Sequence, residues 1–167
     1  MVSVKSVKID GEEIHIFKSM IYIFESNSRF TLELDMIVSE IVLKRYKNEE
    51  TLIIEIELDG GRLISSIMNV HFLSGRLPQM NAFMDVEDPN EYLELQRINE
   101  NNSIFPDLDE GITIEEIRKV EMPNEKVTLK LNLPIDQVEW LKEQKARELN
   151  EIFKELIYNY WSKRSEK

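Results

Sequence analysis

The chain contains no cysteine. That absence excludes disulfide frameworks, thiolate zinc sites and thiol catalysis. Glycine and proline number only five each in 167 residues, which excludes collagen-like, linker-like and low-complexity organisation. Scarce glycine also leaves no phosphate cradle: no dinucleotide fingerprint, phosphate loop or Gly-x-Ser-x-Gly elbow occurs. The longest stretch free of charged side chains, Leu63–Gly75, falls far below the ~20 residues a membrane-spanning helix needs. The opening MVSVKSVKID carries Lys5, Lys8 and Asp10, so no signal-peptide apolar region fits, and a soluble cytoplasmic protein is expected. Two alanines, Ala82 and Ala146, stand against 20 isoleucines and 12 asparagines. That bias reflects AT-rich coding and points to a bacterial or phage source.

What is present is globular in balance. Apolar residues make up 42% and charged residues 32%, and the length suits one domain spanning residues 1–167. Such a chain buries roughly 70% of its unfolded surface, enough for a core without staples. Net charge is −11, and it is unevenly spread: residues 1–88 carry −6, residues 89–133 carry −5, and residues 134–167 are neutral. Nucleic-acid binding rests on cationic side chains displacing counterions, and the only basic clusters are Lys44-Arg45-Tyr46-Lys47 and Lys163-Arg164. Neither nucleic acid nor an anionic membrane is an expected partner.

Residues 1–133 read as strand-rich. Phe30, Leu32, Leu34, Met36 and Val38 alternate with mostly polar residues; Leu52, Ile54, Ile56 and Leu58 do the same. Ile64, Met68, Val70 and Phe72 share the face of a third run, and Val127, Leu129, Leu131 and Leu133 predict a late strand. Asp10-Gly11 and Asp59-Gly60-Gly61 supply hairpin turns. The period-2 phase slips between Val4 and Val7 and again after Val38, which predicts a bulge, bend or strand end at each place. Met20–Phe24 is apolar on both faces, as in a central or doubly covered strand. Asp88-Pro89 opens a helix expected over Pro89–Ile98, followed by a loop over Asn99–Pro106. The segment 113–122 fits either a helix capped by Thr113 and Glu116 or a strand. From Pro134 a long helix extends to about Lys163, with a solvated gap or kink over Lys142–Glu148.

Candidate chemistry is sparse. His15 and His71 have no partner at metal-ligand spacing and read as polar-face residues. Asp107-Leu108-Asp109-Glu110-Gly111 approaches a calcium loop but puts Gly111 where the fifth ligand belongs, so it reads as an acidic turn. Asp35, between Leu34 and Met36, is the one acid in unusual company, yet its strand phase is polar. Met80, Phe83 and Met84 form either an apolar lip or an irregular strand. No catalytic, cofactor-binding or metal-binding residue is assigned, and no cofactor is expected. Aromatic and apolar residues instead crowd the chain's last helix, where Phe153, Ile157, Tyr160 and Trp161, with Tyr158 nearby, are the candidate partner-binding residues.

The expected fold is α+β: a predominantly antiparallel sheet or half-barrel of about seven strands, a short mid-chain helix, and a long C-terminal helix on the sheet. The expected function is a non-enzymatic protein-binding or assembly module, most simply a homodimer through the C-terminal helix. The alternative is a small-molecule-binding protein or hydrolase with a pocket between helix and sheet. The six residues Arg76–Asn81 (RLPQMN) resemble a phrase in export chaperones of the SecB type, which are also acidic and join an antiparallel sheet to helices. There the phrase follows a long helix and here a strand, and the resemblance implies at most a chaperone-like peptide binder.

Overall fold

Strand alternation becomes a single eight-stranded sheet. The structure, a computed structural model, describes residues 2–27, 29–101 and 108–165, with Ser74 as backbone only. The chain divides into two compact units, residues 1–124 and residues 125–167. In the first, β1 (Val4–Ile9), β2 (Glu12–Ile14), β3 (Lys18–Ser26) and β4 (Arg29–Ile37) lead to helix α1 (Glu40–Tyr46). Then follow β5 (Thr51–Leu58), β6 (Leu63–Ser74), β7 (Pro78–Val86), a 3₁₀ turn (Pro89–Tyr92), β8 (Gln96–Asn99) and helix α2 (Ile114–Val120). The sheet order is β2-β1-β5-β6-β7-β4-β3-β8, antiparallel throughout except for β3 with β8. The α+β class with a largely antiparallel sheet therefore stands, with eight strands rather than seven.

One face of every long strand points into the core. Val7, Ile9, Ile23, Leu32, Leu34, Ile54, Ile56, Met68 and Ala82 are all fully buried in one cluster. The Cα atoms of β1 and β3 come within 8 Å although four strands separate them in the sheet. The sheet is rolled, so its apolar face packs largely on itself. Val42 and Tyr46 of α1 and Leu95 complete that core.

Local signals explain most boundaries. Asp10 and Gly11 both take positive φ in the β1–β2 turn, and Gly61 does so between β5 and β6. The phase slip near Val4 is a register shift between Val4 and Ser6 in the β1–β5 ladder. The slip after Val38 is a strand end: buried Ser39 accepts from the Val42 amide at 3.2 Å and opens α1. Segment 113–122 resolves as α2, whose Thr113 and Glu116 form a reciprocal capping box. Ile117 of α2 is buried with Ile37 and Leu77, making a second, smaller core on the opposite face of the sheet.

Three expectations need correction. The helix over Pro89–Ile98 is only the 3₁₀ turn, and Gln96–Asn99 is β8. The three-residue spacing of Tyr92, Leu95 and Ile98 serves an i→i+3 turn, with the Leu95 amide donating to the Tyr92 carbonyl at 3.0 Å. Arg97 then ties the turn down by donating to the Pro89 carbonyl, and Ile98 buries beside Phe24. The expected loop over Asn99–Pro106 ends β8 at Asn99, and its residues from 102 onward lie outside the described residues. The late strand is the second correction: among the described residues Val127–Leu133 belongs to no ladder. The third concerns Met80, Phe83 and Met84: of the lip and the irregular strand it is a strand, but a regular one, β7, with Met80 buried in the core.

The second unit holds α3 (Ile135–Glu143) and α4 (Ala146–Ser165). The expected gap over Lys142–Glu148 is a break: Gln144 is extended, and its amide donates to the Leu141 carbonyl at 3.2 Å.

Candidate functional site

Helix α4 carries the partner-binding residues read from the sequence. At 100° per residue, Leu149, Ile152, Phe153, Leu156, Ile157, Tyr160 and Trp161 occupy an arc of about 180° of the helix. A core-facing helix needs an apolar stripe of only about 100°. No residue of α3 or α4 is buried. Ile157, Tyr160 and Trp161 are 58%, 69% and 64% exposed, and Phe153 is half-buried. Tyr158 and Trp161 stack at a tilt, ring centroids 6.5 Å apart, so the aromatic end is partly ordered by its own contacts. The structure thus places all four residues on one helix and on contiguous turns.

A second cluster lies on the outer face of the sheet, where strand phase made Asp35 look ordinary. Asp35 stands opposite Asn81 of β7, and Glu33 stands opposite Tyr22 of β3. The Asn81 amide donates to Glu33 Oε2 and Asp35 Oδ1, both at 2.9 Å. The buried Tyr22 hydroxyl donates to Asp35 Oδ2 at 2.9 Å, and Thr31 donates to Glu33 Oε1 at 2.7 Å. Burial, and then the Asp35 carboxylate beside it, push the Tyr22 hydroxyl far above the ordinary phenol range. Tyr22 is therefore a permanent donor. A depression of about 630 Å³ adjoins this cluster, with Phe24 and Phe83 among its walls and Thr31, Glu33 and Asp85 in its lining. Sequence periodicity assigned Thr31, Glu33 and Asp35 to a polar face, but which side chains meet them depends on ladder register.

The remaining candidates are spread apart. His15 packs edge-on against Phe17 at 4.6 Å, and His71 lies against Phe83 at 5.0 Å. Arg45 of the basic cluster on α1 pairs with Glu12 and leans over the Tyr46 ring. In the acidic turn, Asp109 accepts from Gln79 and the Glu110 carbonyl accepts from Lys18, while Leu108 and Ile112 pack into the smaller core. Asp107 lies outside the described residues. Among the described residues no three His, Asp or Glu side chains group as a metal site, and no helix is long and apolar enough to cross a membrane.

The sequence matches no protein-family model, and neither a curated protein nor a solved structure is significantly similar to it.

Proposed function

We propose that this protein is a non-enzymatic protein-binding or assembly module that associates through the apolar arc of α4, most simply with a second copy of itself. The observation that carries this reading is the breadth and exposure of that arc. Seven large apolar side chains on one helix, none of them buried, is the kind of surface that marks an interaction site in a folded chain. Each large side chain that goes from exposed to buried contributes about 1.5–3 kcal/mol. Three or four per subunit outweigh a substantial share of the association cost.

The outer-face depression supports the alternative, a small-molecule site, less well. Its Glu33 carboxylate already accepts hydrogen bonds from Asn81 and Thr31, and neighbouring Asp35 accepts from Asn81 and Tyr22. Those groups hold three strands together.

Analytical sedimentation tests the proposal. The wild type is expected to be a dimer at tens of micromolar, and the Phe153→Glu, Ile157→Glu variant a folded monomer with unchanged sheet signal in circular dichroism. A wild type that sediments as a monomer and binds no protein partner through α4 refutes it.

A further inference from the structure

Residues 127–133 are a strand in pattern and not in pairing. Val127, Leu129, Leu131 and Leu133 alternate with Thr128, Lys130 and Asn132, so all four apolar side chains fall on one face of an extended chain. They are 77%, 61%, 56% and 36% exposed, and among the described residues the segment joins no ladder. Pro123 precedes it and Pro134 closes it, which isolates the segment from any helix. A seven-residue run with one apolar face that joins no ladder among the described residues has the pattern of half a β-ribbon.

We infer that this segment pairs antiparallel with its own copy in a second chain, about a two-fold axis through Leu129. The inference rests on the reading that the protein assembles with itself, and adds a second element to that contact.

Charge selects the occupant. Residues 1–124 hold 24 acidic and 12 basic side chains, whereas residues 125–167 hold 8 and 9. Two copies approaching through their sheets bring like net charge together, while two copies of the near-neutral unit do not. Charge also selects the register. A two-fold through Lys130 opposes that lysine to itself, and one through Thr128 opposes Lys126 to Lys130. An axis through Leu131 runs the ladder into Pro134, which has no N–H to give. Centred on Leu129, Val127 meets Leu131, Thr128 meets Lys130, and Lys126 meets Asn132. No like charges face each other, and one face of the ribbon is apolar across Val127, Leu129 and Leu131 of both copies, with Leu133 meeting Glu125 at its end. A two-stranded ribbon is marginal until that face is covered, and the α4 arc of each chain is wider than one contact requires.

The absence of native cysteine makes the register directly testable. With Leu129 as a non-hydrogen-bonded pair on the axis, residue 129 faces itself with Cα atoms about 4.5 Å apart, inside the range a disulfide spans, and Thr128 and Lys130 exchange the ladder hydrogen bonds. Leu129→Cys in the full chain is expected to form a covalent dimer under mild oxidation, while Ile67→Cys, exposed on the sheet, stays unlinked at the same concentration. Thr128→Pro, which removes a ladder donor from an exposed position, is expected to weaken the wild-type dimer about tenfold or more without changing the sheet signal. A dimeric wild type whose Leu129→Cys variant stays unlinked, or links no better than Ile67→Cys, overturns the strand pairing and leaves the α4 contact standing. A monomeric wild type overturns the strand pairing together with self-association through α4.

Discussion

Asn81 does what no apolar residue of its size can do at that place. Glu33 and Asp35 lie on the same face of β4, two residues apart, and the Asn81 amide donates to both. Without that donor, two half-buried carboxylates are left side by side on β4, with hydrogen bonds from Thr31 and Tyr22. Asn81→Leu is expected to cost about 1–3 kcal/mol, and Tyr22→Phe, which removes one hydrogen bond and leaves Asp35 its Asn81 contact, about 1 kcal/mol. Urea unfolding of the two variants checks the order; equal and negligible losses would show that water replaces the network. Asp35 was visible in the sequence as an acid between Leu34 and Met36. Its partners were not, because Tyr22 and Asn81 are 13 and 46 residues away and meet it only through ladder register.

At the scale of elements, α2 depends on a joint between two short helices. Arg118 of α2 donates twice to Glu40 of α1, at 2.7 and 2.8 Å, and this pairing holds the Glu40 carboxyl below its usual value of 4.5. A carboxylate whose folded pKa is depressed stabilises the fold above its unfolded pKa, and loses that contribution as pH falls through the folded value. Glu40→Gln is therefore expected to be less stable than the wild type by up to about 1 kcal/mol at neutral pH, given the partial exposure of the pair. The two proteins are expected to begin converging as the pH falls below 4.5 and to coincide only below the lower folded value, read as thermal midpoints over a pH series. Thr113 and Glu116 announced the start of α2 in the sequence. As a helix the segment buries Ile117 beside Ile37 and Leu77, a contact its own sequence does not reveal.

Each unit of the chain, taken by itself, is stabilised by different means. The first has a continuous buried core. The second has helices of 9 and 20 residues with no buried residue in either. An isolated helix as short as α3 is marginal in water, and helices in proteins owe most of their stability to packing of an apolar face, so covering the α4 arc is expected to stabilise the second unit. If that cover is a second chain, scanning calorimetry is expected to show two transitions. The lower one, from residues 125–167, rises with protein concentration by mass action, and the upper one does not. The Phe153→Glu, Ile157→Glu variant is expected to lose the lower transition alone. A single transition independent of concentration would count against assembly through this unit.

Periodicity and turn chemistry, both local, were enough to set most strands, the turns at Asp10-Gly11 and Asp59-Gly61, an irregularity near Val4 and an interruption over Lys142–Glu148. The aromatic crowding on α4 was equally plain, because a helical stripe is a property of spacing alone. Tertiary structure decided what spacing leaves degenerate. Tyr92, Leu95 and Ile98 fit a helix as well as a 3₁₀ turn and a strand, until Ile98 has to bury beside Phe24. Val127–Leu133 has the alternation of a strand, but a strand exists only where a neighbour offers its backbone, and among the described residues none does. A side chain's period is written in its own segment; its partner is chosen by the sheet order, and no segment of this chain contains that order by itself.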